Sequence, residues 1–303
     1  MNRRHFIGSI SSAALAVGGI LPLAAMDKPK NIRWAMGMIL WRGYAARKIP
    51  MQEVIRDLHD LGLDGIEYSP RPGELERSGL TRESFRALLR EKGLAVSGHY
   101  WGAPFYDDSK KQEILASFRE TIDSVKFYGA SNIIIGPGDR QAGKPADLIA
   151  KSAPLLNELG KIALDQGVRI GIHPHYNTYI EQPQEIHLVM KLTDPRYVFL
   201  SPDTGHIALG GGDVLEILRT YKERLNYFHF KDVAGQVHRP DFGSNLRELG
   251  KGSIDFPAIM RLLKEIKFKG WINQEQDTTR LTPRESAAQS MDYINKKLKV
   301  IYD

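Results

Sequence analysis

Ile170–Thr178 reads IGIHPHYNT. An apolar run enters, two imidazoles follow at His173 and His175, and Asn177 comes next. A short apolar run of this kind fits a buried strand. Imidazole at the end of such a strand suits metal coordination or proton transfer, and equally a structural hydrogen bond. The stretch alone leaves these readings open. Recurrence separates them, because other apolar runs in the chain also end in His, Asp or Glu.

Working outward, eight such runs appear: Ile32–Met38, Gly65–Tyr68, Leu94–Gly98, Asn132–Ile135, Arg169–His173, Tyr197–Leu200, Leu225–Phe230 and Gly270–Asn273. Each precedes a segment of helical spacing: Met51–Leu61, Thr81–Lys92, Ser109–Tyr128, Pro145–Gln166, Pro183–Leu192, Val214–Tyr221, Phe256–Ile266 and Pro283–Leu298. Pro50 and Thr81 are start signals, and Gly93, Gly129 and Gly167 are stop signals. Alternating β and α implies a parallel sheet, and eight units imply closure. The fold class is therefore α/β, a (β/α)8 TIM barrel in a single domain over residues 27–303. The rival is an open doubly wound sheet, which usually carries a glycine-rich dinucleotide fingerprint after its first strand. Here Gly37 is followed by Met38-Ile39-Leu40-Trp41.

Residues 1–26, MNRRHFIGSISSAALAVGGILPLAAM, place a short basic head before an apolar stretch from Ile7 to Leu23 and end in small residues. This is the layout of a secretory signal. Arg3-Arg4-His5-Phe6-Ile7 resembles the twin-arginine signal, which exports proteins already folded. An ordinary Sec signal or an uncleaved anchor are the alternatives, although Gly18, Gly19 and Pro22 interrupt a stretch of barely spanning length. The expectation is a cleaved twin-arginine signal, cut beside Met26, giving an exported, periplasmic protein with no membrane association in its mature form.

The 303-residue chain is 42% hydrophobic and 26% charged, which is ordinary for a globular protein. Its formal charge of +6 includes Arg3 and Arg4; without the leader, 40 basic and 36 acidic residues leave +4. No run of Lys and Arg interleaves with aromatics, so a nucleic-acid partner is not expected. The chain has no cysteine, which excludes disulfides, thiolate metal sites and cysteine nucleophiles.

In such a barrel the C-terminal ends of the strands share one mouth. Glu67, His99, His173, His175, Asp203, His206, His229, Lys231 and Glu275 fall there, with five of the nine histidines among them. Imidazole and carboxylate together suit Mn²⁺, Mg²⁺, Co²⁺, Zn²⁺ or Fe²⁺. Without thiolates, an open catalytic site is favoured over a closed structural zinc site, with a metal-free polar cluster as the alternative.

Six segments carry a family resemblance: DGIEY (64–68), IGIHPHYNT (170–178), SPDTGHI (201–207), YFHFKDV (227–233), LGKGSIDF (249–256) and WINQEQD (271–277). In this order and on these strands they resemble the xylose isomerase-like TIM barrels. That group includes sugar epimerases, hydroxypyruvate isomerases, inosose dehydratases, 3-dehydroshikimate dehydratases and, more distantly, endonuclease IV. The resemblance implies a divalent metal held by His173, Asp203, His229 and Glu275, with His175 in place of His173 left open. It also implies that His206 and Lys231 lie near the substrate, that His175 and Asn177 support the site as in the dehydratase-like members, and that Asp277 backs a ligand. Glu67 and His99 are placed toward the substrate, and Trp101 as a stacking face for a sugar ring, a lid or a packing residue. Blander readings are an exposed loop charge for Lys231, a rim arginine partner for Glu67, and a plain turn opening a helix for LGKGSIDF.

The family usually has Glu where this chain has His173. Epimerases of the family use two metal-bound carboxylates on opposite faces of the substrate, and the replacement removes one of them. One-sided chemistry remains: proton removal α to a carbonyl, with Glu275 or His175 as base and His206 or Lys231 as donor. The expected function is a metal-dependent isomerase or epimerase of a small unphosphorylated sugar or polyol, working through a metal-stabilised enediolate. The alternative is a lyase on the same site, a dehydratase or keto-glycoside-cleaving enzyme. An abasic-site endonuclease fits less well, for want of further ligands and of basic charge. A binding protein that has lost catalysis is the fourth possibility. If the leader is read correctly, protein recovered from an exporting host begins beside Met26 by N-terminal sequencing, and the double change Arg3→Lys, Arg4→Lys leaves the leader attached and the protein inside the cell.

Overall fold

Eight parallel strands stand side by side, each returning through the helical layer outside them. They are β1 (Ile32–Gly37), β2 (Gly65–Glu67), β3 (Ala95–Gly102), β4 (Asn132–Gly136), β5 (Arg169–Ile172), β6 (Val198–Leu200), β7 (Tyr227–Phe230) and, after a small antiparallel hairpin of β8 (Asp232–Val233) with β9 (Leu246–Arg247), β10 (Gly270–Gln274). The computed structural model describes residues 30–43, 49–71, 73–235 and 242–302. The expected export signal, 1–26, lies outside the described residues. Among these residues no helix is long and apolar enough to cross a membrane.

The hydrogen-bonded order is β6-β5-β4-β3-β2-β1-β10-β7. The ring is nearly closed. Between β6 and β7 the ladder thins to two parallel bridges, Leu200 with Leu225 and Asp203 with His229. Pro202 has no N–H to give, yet its carbonyl accepts the His229 N–H at 2.9 Å, so the seam stays tied beside the site. The expected single-domain TIM barrel is the observed fold.

Local sequence explains the helices. Pro145–Asp165 begins with Pro at its first position and buries Leu148, Ile149, Leu155, Leu156 and Leu159 on one face, the three-to-four-residue spacing of an amphipathic helix. Thr81 and Thr282 each form a capping box, with Ser84 and Glu285 respectively. Gly167, at φ 75°, closes Pro145–Asp165 in the left-handed conformation and turns the chain into β5.

Inside the ring, small residues make room for large ones. A side chain at Gly65 would meet the Trp271 ring at 2.8 Å, and one at Gly136 would collide with the Tyr100 phenol. This is close packing by alternation of sizes.

Three features differ from the sequence reading. The third strand continues to Gly102, past His99 and Trp101. A short helix, Thr204–Leu209, follows Asp203, because the Asp203 side chain caps it. The stretch between the seventh run and Phe256, where no strand was read, contains the hairpin, and the Asp232 carboxylate accepts the N–H groups of Gly250 and Gly252 at 3.0 and 2.8 Å. LGKGSIDF is thus a turn wrapped on a buried carboxylate, and those two amides are not left for an anion.

Gly160 faces the loop before β6; a Cβ there would lie 2.5 Å from the Tyr197 carbonyl oxygen and 2.9 Å from its carbon. Gly160→Ala should destabilise the barrel by about 1–3 kcal/mol, since overpacking against backbone outweighs the gain of about 1 kcal/mol in helix propensity. Denaturant unfolding of the two proteins measures it.

Candidate metal centre

His173 follows β5, Asp203 follows β6, His229 lies on β7 and Glu275 follows β10. One donor atom from each lies within 4.8 Å of the others. Side chains alternate along a strand, so residues at matching heights on neighbouring strands share the interior. Asp203 divides its carboxylate between two tasks. Oδ1 accepts the His206 N–H at 2.8 Å as the helix cap. Oδ2 has no hydrogen-bond partner and lies 3.2 Å from the Lys231 ammonium. Glu275 Oε2 likewise has no hydrogen-bond partner and sits 3.5 Å from His229 Nε2. Buried oxygens without a hydrogen bond are costly.

His229 is gripped from both sides. Nε2 lies 2.8 Å from Glu67 Oε2, and Nδ1 lies 3.0 Å from His173 Nδ1. Burial opposes charge on His229, but Glu67 and Glu275 outweigh it and carry its pKa up to about 9. Burial, with the positive His229 beside it, holds His173 well below the ordinary imidazole range. In the metal-free state a proton therefore sits between the two Nδ1 atoms. A cation would take its place, because metal binding at such ligands expels protons. Two imidazoles, two carboxylates, no thiolate and two buried carboxylate oxygens without a hydrogen bond fit a divalent cation of the Mn, Mg, Co, Zn or Fe class.

Lys231 forms the floor. Its Nζ lies 2.6 Å from Asp277, 3.2 Å from Asp203 and 3.7 Å from Glu275. It also lies 2.9 Å from His206 Nε2. Although burial opposes the charge, these carboxylates raise the Lys231 pKa above its usual value. His206 also receives the Tyr176 N–H at Nδ1, 3.2 Å away, and Phe242 stacks on its ring at 5.3 Å.

Above the floor opens a cavity of about 320 Å³, walled in part by Glu67, Tyr100, His173, His175, Glu275 and Asp277. His175 is partly exposed, and its Nδ1 lies 2.8 Å from the Tyr176 carbonyl oxygen. A carbonyl only accepts, so Nδ1 carries the proton and Nε2 is a free base. Burial, then Lys231, lower the His175 pKa, which keeps the ring neutral. Burial lifts the Glu275 carboxyl to about 7, against the pull of Lys231 and His229.

The residues named from sequence thus divide. His173, Asp203, His229 and Glu275 converge, and the open choice falls to His173. His175 groups with His173 and His206 and faces the cavity. Glu67, placed toward the substrate from sequence, is the carboxylate that orients His229. Lys231 and His206, expected as proton donors, are fully buried and do not line the cavity. His99 does not line the cavity either, and burial lowers its pKa to about 4. Trp101 points away: its indole donates to Ser117 at 3.3 Å and packs on Phe105 and Phe118. Asn177 is an exposed turn residue at φ 60°, its carbonyl accepting the Arg140 N–H. Sequence reasoning missed Tyr100, whose ring lies 5.5 Å from His173. Carrying period two past His99 was the signal that could have found it.

The family model described as xylose isomerase-like TIM barrel matches residues 55–297. The chain belongs to the xylose isomerase-like TIM barrel family. Among its relatives in that family, a Bacillus velezensis protein named inosose dehydratase is 27% identical over 301 residues, 89% of this chain and 97% of its own. A Clostridium tetani protein of the same name is 32% identical over 270 residues, 80% and 89% of the two chains. The crystal structure of the IOLI protein with a zinc atom superposes at a TM-score of 0.73, with 17% identity over 89% of this chain and 99% of that one.

Because Glu67 holds the ring of His229, Glu67→Gln should weaken divalent metal binding by about 10–100-fold while the fold survives. Metal analysis after dialysis against graded chelator, beside circular dichroism, checks both parts.

Proposed function

We propose that the protein is a metal-dependent lyase that removes water from a small keto-sugar or keto-cyclitol. The observation that carries this reading is His175, a neutral imidazole on the cavity wall whose Nδ1–H is pinned by the Tyr176 carbonyl. Its Nε2 takes the proton α to the substrate carbonyl. The C–H electron pair becomes a C=C bond, the β-hydroxyl departs, and the imidazolium returns its proton to that hydroxyl, releasing water. One base on one face completes the balance. The site is suited to this, since His173 stands where the second carboxylate of an epimerase pair would be. A divalent cation held by His173, Asp203, His229 and Glu275 would polarise the carbonyl as a Lewis acid. Tyr100 and Asp277 shape the wall, and Lys231 keeps Asp277 ionised beside them.

The full-length relatives named inosose dehydratase support elimination. Isomerisation, placed first on sequence grounds, begins with the same proton removal and differs in where the proton is returned. Export through the twin-arginine route is part of the proposal.

With a keto-inositol in heavy water, NMR should show an unsaturated product. A deuterated isomer without unsaturation would establish isomerisation instead. His175→Gln should lower kcat by about 10²–10⁴-fold with metal content unchanged; full activity in that variant would remove the base assignment.

A further inference from the structure

Two cations on the cavity wall take no part in the elimination. Arg42, on the short helix Ile39–Gly43, ties Nε and Nη2 to the Glu74 carboxylate at 2.8 and 2.7 Å, and Nη2 also to the Ser69 carbonyl at 2.7 Å. That grip fixes the guanidinium plane and leaves the two N–H groups of Nη1 without a partner among the described residues. Arg71 is exposed, and its side chain makes no hydrogen bond or ion pair among the described residues. Burial, then the charge of Arg42, lower the Arg71 pKa, and Glu74 only partly restores it. Both arginines line the same cavity, and Glu74, paired with Arg42, is the carboxylate nearest the two.

That space is part of the catalytic cavity. Arg42 and Arg71 wall it together with His175 and Glu275. Both also wall an adjoining cavity of about 370 Å³ that runs on past Trp41 and Met51, where Arg77 adds a third guanidinium. At this end of the cavity Arg42 and Arg71 face Glu74 alone among the described carboxylates, with donors to spare on Arg42 Nη1 and on Arg71, while Glu67, Glu275 and Asp277 line the end that holds the base. Guanidinium forks match the planar, paired oxygens of carboxylates and phosphates.

We propose that Arg42 and Arg71 form an oxyanion subsite, so that the favoured substrate is a keto-polyol bearing a carboxylate or phosphate group rather than an uncharged one. This rests on the reading above that the cavity takes a keto-polyol. It separates the chain from the substrate in its relatives' name, because inosose is uncharged.

D-Glucose, D-glucuronate and D-glucose 6-phosphate share a ring and differ at C6, and titration calorimetry on the metal-loaded full chain compares them. One of the two anions should bind about tenfold tighter than glucose, the scale of one charge-assisted hydrogen bond. The advantage should shrink at high salt and be lost in Arg71→Gln, a change at an exposed side chain that does not threaten the fold. Preference for glucuronate marks a carboxylate ligand, and preference for the 6-phosphate marks a phosphate ester. No advantage of either anion over glucose, or an advantage intact in both Arg71→Gln and Arg42→Gln, overturns the subsite. Binding needs no turnover, so the two readings fail separately. Anion preference without elimination from any keto-polyol would end the lyase reading alone. Elimination from a keto-inositol without anion preference would end the subsite alone.

Discussion

A single buried ammonium holds the open end of this barrel together. Lys231 has no exposed surface, and Asp203, Asp277 and Glu275 lie within 3.7 Å of its Nζ. Carboxylates removed from water take up protons unless an opposite charge faces them. Lys231 supplies that charge from below, which leaves the upper side of the cluster free for a cation. Such a network gives little net stability, because desolvation offsets the attraction. What it gives is position: Asp203, its other oxygen already capping a helix, has one orientation left. Lys231 thereby fixes the carboxylates around it.

The barrel makes this arrangement possible by two means. Its inner positions alternate between glycine and bulky rings, so Trp271, Tyr100 and Tyr227 fill the interior without pushing the strands apart. Its weakest seam, where β6 stops at Leu200 before Pro202, falls beside the site. There the bridge from Asp203 to His229 replaces a longer ladder, and two of the four metal-type ligands lie in direct backbone register. The seam that sequence chemistry weakens is the one that brings the ligands together.

Much of the site was legible because it sits at strand ends, where local pattern and position in a barrel are the same information. SPDTGH announced Asp203, YFHFKDV announced His229, and WINQEQD announced Glu275. Orientation was less legible. Trp101 lies beyond Gly98, where the third run was read to end, and a strand that runs four residues further sends it into the helical layer and leaves Tyr100 facing His173. Asn177 lies four residues past the first imidazole of the decisive stretch, yet it turns the chain in the left-handed region instead of reaching inward. The arginine pair carries no motif at all; Arg42 and Arg71 meet only because β1 and β2 are neighbours in the ring.

By itself the sequence determined the alternation of strand and helix, the closure of eight units, and the stock of imidazole and carboxylate at one end. Those follow from periodicities of two and about 3.6 residues that any short window contains. Only the tertiary structure decided that His173 joins the quartet, that Glu67 orients His229 from 162 residues away, and that Lys231 lies beneath the cavity and not within it. Side-chain roles of that kind are set by burial and by partners remote in the chain, and no local pattern encodes either.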